Sequence, residues 1–247
     1  MNFDESITAL DEFLESIKRR EVPRLFPEGA EEATKCPKGY DYFKSKYGVE
    51  PRSVAHDHMM WTVVDLNWTW HFAQYLGSMR VLEVMAGVGW LAKALRAHSV
   101  NIVSTDNMSW QKDYAPNFGD PVTEIEPLNA VDAVHAYGSQ SDILLMAWSS
   151  CAADLQAASL WEPQKPVIYI GERPGGCTGS DRFHAGFFPE LQVNIPRYRS
   201  NWDALYIGRF DKAEAEKPLD CDDIGYARFP NWSRFERSSF DWTTQVQ

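Results

Sequence analysis

Positions 80 to 106 hold the densest chemical signal in this 247-residue chain. The run RVLEVMAGVGWLAKAL (80–95) carries a short apolar strand through Gly87 and Gly89 into an alanine- and leucine-rich helix. A residue without Cβ lets the backbone turn tightly and come close to a ligand, and the free N–H groups at the start of the helix face whatever binds there. The next apolar run, NIVST (101–105), ends on Asp106. A carboxylate about 20 residues beyond such a turn can accept both hydroxyls of a ribose. Gly87, Gly89 and Ala92 also satisfy the dinucleotide form G-x-G-x-x-A, so glycine spacing indicates a nucleotide-bearing ligand without choosing its class.

In open α/β sheets ligands bind beyond the carboxyl ends of the strands. Glu83 to Gly89, Asp106, Asn129, Trp148 to Ser150 and Gly171 to Asp181 are therefore expected to converge on one edge. Trp148 offers an indole face that attracts cations, and Ser149 stands beside it. Glu172 and Arg173 could position a substrate, and His184 could act as a base; a loop ion pair or a helix cap explains them equally well. His58, next to Met59, Met60 and Trp61, could face the ligand. His56 and His58 do not share a helix face and have no evident third ligand, so no metal is expected. The glycine-rich stretch 175–179 lacks the Gly-Lys-Ser/Thr ending of a phosphate loop and reads as a flexible loop near the site. Cys177 as a nucleophile would need a base and a lowered pKa.

These residues require a layered α/β frame. From Arg80 onward, short aliphatic or β-branched runs alternate with helical stretches in the manner of βαβ units. Strands are expected at 80–85, 101–105, 122–125, 142–147 and 166–171, with helices at 89–98, 108–114, 128–137 and 151–160. Leu191 to Ile195 and Ala204 to Phe210, joined by a turn-like 196–201, read as a closing antiparallel hairpin. Ahead of the sheet, Ile7, Leu10, Phe13, Leu14 and Ile17 recur at helical spacing. An irregular stretch punctuated by Pro23, Pro27, Gly29, Pro37 and Gly39 follows, and then an aromatic helical region from His56 to Tyr75. The expected organisation is a helical N-terminal cap (1–78), a Rossmann-like core (79–212) and a C-terminal tail packed on it (213–247).

Composition narrows the partners. A formal charge of -11 opposes nucleic-acid phosphate and favours a small-molecule substrate. No apolar run approaches the roughly 18 residues of a membrane helix. An acidic N-terminus without an apolar leader, together with four widely spaced cysteines, suits a cytoplasmic protein with reduced thiols.

Residues 80–210 resemble the core of the class I S-adenosylmethionine-dependent methyltransferases. Glu83, Gly87 and Gly89 fall on that family's E-x-G-x-G-x-G pattern, with Met85 where the family has its first glycine. The acid within the strand, the terminal hairpin and the preceding helical cap separate this resemblance from the dinucleotide folds. It implies S-adenosylmethionine as cofactor, held by Glu83, the turn Met85, Ala86 and Gly87 with Gly89, and Asp106 with Asn107. Leu128 and Asn129 would flank the adenine, and Trp148 would face the sulfonium or the substrate. The Asn/Asp-Pro-Pro-aromatic motif of the nucleic-acid amino methylators is absent after the fourth strand. The segment from Tyr169 to His184 resembles an uncharacterised branch of the same superfamily. Three rivals remain open at this level: cleavage of a different sulfonium bond, a non-catalytic cofactor-binding module, and a nicotinamide oxidoreductase.

Overall fold

The structure is a computed structural model that describes residues 2–27, 29, 31–111, 120–149, 152–198, 201–219, 229–233 and 242. Five helices precede the first strand: α1 (Phe3–Lys18), α2 (Glu31–Thr34), α3 (Pro37–Tyr47), α4 (Pro51–Asp57) and α5 (Leu66–Leu76). The α1 helix forms as its periodicity predicts, and its start is closed by a capping box between Asn2 and Glu5. The irregular stretch instead holds α2 and α3. Pro37 opens α3 and Gly48 ends it in a left-handed conformation, so two of the strongest turn-formers bracket a helix. The helical region expected from His56 to Tyr75 is broken, because α4 ends at Asp57 and Met59 is left-handed. Asp65 then restarts the chain as α5 by accepting the Trp68 N–H at 2.9 Å.

The sheet has six strands: β1 (Val81–Val84), β2 (Ile102–Thr105), β3 (Ile143–Ala147), β4 (Val167–Gly171), β5 (Phe187–Val193) and β6 (Ala204–Phe210). Their spatial order is β2-β1-β3-β4-β6-β5, with β6 alone running against the rest. The helices between strands are α6 (Trp90–Ala97), α7 (Ala130–Tyr137), α8 (Ala153–Leu160) and α9 (Asp181–Gly186), followed by α10 (Lys212–Glu216) and α11 (Pro230–Ser233). This is a Rossmann-like α/β fold, mostly parallel, closed by an antiparallel hairpin.

Two expectations about the strands need correction. The strand at 122–125 is reduced to a single parallel bridge between Thr105 and Glu126. Glu126 exchanges backbone hydrogen bonds with Ser104 and Asp106, and Pro127 then has no N–H with which to continue the ladder. Strand β5 starts at Phe187 and not Leu191, with a register shift between Pro189 and Leu191. It is an edge strand, where a proline and a bulge are tolerated. Of the helix expected at 108–114, Trp110 and Gln111 are helical and 112–114 lie outside the described residues.

Both faces of the parallel strands are covered, which explains their nearly continuous apolar runs. Alternation sends Val81, Ile143, Leu145, Ile168 and Ile170 into one core, shared with Leu10, Leu14 and Phe72 of the leading helices. Leu82, Val84, Leu144, Met146, Val167 and Tyr169 enter the other, beneath α7 and α8. Glu83 is the one carboxylic or basic side chain in β1 to β4, and it lies on the face that meets the leading helices. Among the described residues no helix is long and apolar enough to cross a membrane.

Candidate cofactor and substrate site

The carboxyl ends of β1, β2 and β3 open into a cavity of about 370 Å³, within the usual range of small-molecule sites. Its roof is the segment Met59 to Thr62, between α4 and α5, together with Trp90. Neighbouring strands diverge here, because β1 continues to β2 through α6 on one side and pairs with β3 on the other. Of the residues singled out in the sequence, Glu83, Met85, Ala86, Gly87, Asp106 and Asn107 line the cavity, as do Asn129 and Trp148.

The turn after β1 is the centre of the arrangement. Gly87 has φ 56°, and nothing lies within 4 Å of where its Cβ would stand, so its backbone borders open space. Its N–H donates to Asp106 Oδ2 at 2.8 Å, and Met108 N–H donates to Asp106 Oδ1 at 2.7 Å. Burial raises the Asp106 pKa against the opposing effect of these two bonds. Gly89 plays a different part. It caps α6 at φ 88°, and an added Cβ would stand 2.7 Å from Ile125 Cδ1 and 2.9 Å from Thr123 Cγ2, so it serves packing and not the cavity.

Met85 occupies the family's first glycine position and does adopt the left-handed conformation, with φ 58°. Such a conformation costs an ordinary residue on the order of 1–2 kcal/mol. Met85→Gly relieves that strain while losing the side chain's packing; Met85→Ala loses the packing and keeps the strain. Urea unfolding is expected to rank the glycine variant above the alanine variant by about 1 kcal/mol, and the reverse order would contradict the strain.

Glu83 is buried, 1% exposed, and its Oε2 has no hydrogen-bond partner. Burial pushes its pKa up to about 7. A buried acid with one oxygen unpartnered, bordering a cavity, is a costly feature that a cationic ligand group would relieve.

Several sequence candidates sit elsewhere. His58 turns back to donate from Nδ1 to the Val54 carbonyl at 2.8 Å and does not line the cavity; its own carbonyl accepts the Trp90 indole N–H at 2.7 Å. Glu172 is consumed in holding its loop, since Oε2 accepts the Cys177 N–H at 2.6 Å and Oε1 the Trp202 N–H at 3.3 Å. Ser149 is buried beside Trp148 with its Oγ unpartnered, off the cavity lining. Leu128 packs against the core beneath α7, and Ala130 and Val131 reach the cavity in its stead. Asn129 is the N-cap of α7, its Oδ1 accepting the Asp132 N–H at 2.9 Å. His184 is 1% exposed and ringed by aromatic side chains; its Nε2–H donates to the Thr178 carbonyl, and burial lowers its pKa to about 4. That makes it a core histidine and not a base at the site.

Sequence reasoning named Trp61 only as a neighbour of His58 and passed over Asp203. Trp61 lines the cavity and stacks on Trp148, and Asp203 accepts the Trp148 indole N–H at 2.9 Å. No local pattern marks Asp203; it reaches the site because the antiparallel β6 begins beside the end of β4.

No protein-family model and no curated protein matches the sequence. Among solved structures the chain is similar to magnesium protoporphyrin IX methyltransferase (ChlM) from Synechocystis PCC 6803 with bound SAM. That match has TM-score 0.41 and 12% identity, covering 72% of this chain and 94% of that one. It is also similar to the trans-methyltransferase CalH in complex with SAH, at TM-score 0.41 and 12% identity over 83% and 89% of the two chains. A TehB-like SAM-dependent methyltransferase from Corynebacterium glutamicum matches at TM-score 0.39 and 11% identity, over 71% and 100%. The fold class stated above rests on the strand order and directions of this chain.

Proposed function

We propose that the chain is an S-adenosylmethionine-dependent methyltransferase acting on a small molecule in the cytoplasm. One observation carries the reading: Asp106 at the end of β2 clasps the Gly87 turn at the end of β1, beside the buried Glu83 with its unpartnered Oε2 and on the floor of one cavity. When bound, S-adenosylmethionine supplies an electrophilic methyl carbon on a sulfonium.

The residues present suit that molecule. Asp106 accepts one N–H on each oxygen and keeps lone pairs for two ribose hydroxyls. Glu83 offers its unpaired oxygen to an ammonium. Open space at Gly87 admits a ligand close to the backbone, and Ala130 and Val131 give a flat base an apolar surface. For the transfer itself the protein orients the two reactants and excludes water.

In this reading residues 1–78 are a cap that roofs the site, 79–212 the cofactor-binding core, and 213–247 a tail packed on it. Trp242, 9% exposed and stacked with Phe72, supports the last assignment. Calorimetric titration with S-adenosylmethionine, S-adenosylhomocysteine and NAD, followed by mass spectrometry of the first sample, tests the reading. Binding of the sulfur pair is expected; NAD binding alone would overturn it, and methylthioadenosine among the products would replace methyl transfer with another sulfonium cleavage.

A further inference from the structure

Part of the cavity wall is aromatic. Trp61 and Trp148 line it with ring centroids 5.8 Å apart and planes 17° from parallel. His56 completes the cluster at 4.7 Å from Trp61 and 6.4 Å from Trp148. Burial, and then the Arg52 charge, lower the His56 pKa to about 4, so the ring is neutral at neutral pH. Trp61 remains 38% exposed, leaving the wall open to an incoming molecule.

A carboxylate stands behind this wall. Trp148 Nε1 donates to Asp203 Oδ1 at 2.9 Å, and Asp203 is 2% exposed. Burial pushes the Asp203 pKa up to about 6, so it is ionised at pH 8. A carboxylate on the indole N–H sets negative charge in the ring plane and adds to the negative potential of the ring faces. Trp148 is held here at a left-handed φ of 50°, a strain that a bulky side chain keeps only when its surroundings impose it. The charged residues described along the cavity, Glu83 and Asp106, are both acids.

We infer that the Trp61–Trp148 wall backed by Asp203 is the acceptor subsite, and that it takes a small amine, holding the nitrogen as it becomes cationic. The inference rests on the methyl-transfer reading above. In the transfer the amine lone pair forms a new N–C bond to the methyl carbon while the C–S bond breaks and its electron pair stays on sulfur. A tertiary amine ends as a quaternary ammonium; a primary or secondary amine releases a proton to water. Positive charge moves from sulfur to nitrogen, so a surface that attracts cations stabilises it along the whole path. An anionic acceptor would meet two acids and two repulsive ring faces.

Three probes with the same head shape and different charge test this: choline, its uncharged carbon isostere neohexyl alcohol, and the anion tert-butylacetate. Each is titrated by calorimetry at pH 8 into the full chain, with and without saturating S-adenosylhomocysteine, which fills the cofactor end without a sulfonium. Choline is expected to bind about ten-fold tighter than the alcohol in both conditions, and the anion more weakly than either. Equal affinities, preference for the anion, or no binding of any probe would overturn the subsite. Asp203→Asn, which keeps an acceptor for the indole N–H and removes the charge, is expected to weaken choline several-fold and leave the alcohol unchanged; equal loss of both would show a packing role only. Preference for choline in a protein that does not bind S-adenosylhomocysteine would overturn the methyl-transfer reading, and with it the acceptor assignment.

Discussion

Gly87→Val is expected to abolish binding of S-adenosylmethionine and S-adenosylhomocysteine while the protein stays folded. At φ 56° a β-branched side chain is strained, at a cost on the order of 1–3 kcal/mol. Nothing lies within 4 Å of the missing Cβ, so the valine side chain projects into the open space the ligand would use. The fold therefore loses little, and the site loses its cradle. Asp106→Ala acts on the same clasp more gently. It removes the acceptor for two backbone N–H groups and for the ribose, and should weaken binding by about 1.5–3 kcal/mol, as loss of a charge-assisted hydrogen bond does. Calorimetry with thermal unfolding as the control checks both. Undiminished affinity in the two variants would remove the cofactor from this turn.

The second large effect concerns Glu83 and pH. The folded ligand-free protein holds the Glu83 proton up to about pH 7, whereas an ordinary glutamate releases it near 4.5. Between these values the folded state binds more protons than the unfolded chain, so this group makes stability fall as pH rises, by up to something on the order of 3 kcal/mol. Glu83→Gln cannot titrate and should lose that slope, gaining on the wild type between pH 5 and pH 8 in urea midpoint. Buried His56 and His184 act oppositely, each with its pKa lowered to about 4, and they contribute equally to both proteins. The difference between the two profiles thus isolates Glu83. The same variant should bind S-adenosylmethionine more weakly, because the amide cannot neutralise an ammonium. Parallel stability profiles would mean that Glu83 is not a buried titrating acid.

The glycine turn and Asp106 were legible because each obeys a local rule. Gly87 needs positive φ, and the carboxylate follows the next apolar run at a fixed distance along the chain. The parallel strands were legible from apolar runs buried on both faces, and α6 from its alternation of buried alanine and leucine with the half-buried Lys93 and Arg96. Where proline and glycine could mean either a loop or the limits of a helix, as around α3, the local pattern was insufficient. The strand at 122–125 was equally ambiguous, since its pairing depended on Pro127 and on Thr105, far back along the chain.

Side-chain direction was not legible at all. His58, Glu172 and Ser149 stand near strand or helix ends, as a site requires, yet their atoms turn to nearby backbone or into the interior. Trp61 and Asp203 meet Trp148 only because the break between α4 and α5 and the start of β6 arrive at the same edge from distant parts of the chain. The sequence by itself determined the sheet, the turn and the acid, because these follow from backbone conformation and from periodicity over a few residues. Only the tertiary structure decided which side chains face the cavity, because that depends on long-range packing, in which each group takes whichever partner the fold brings within reach.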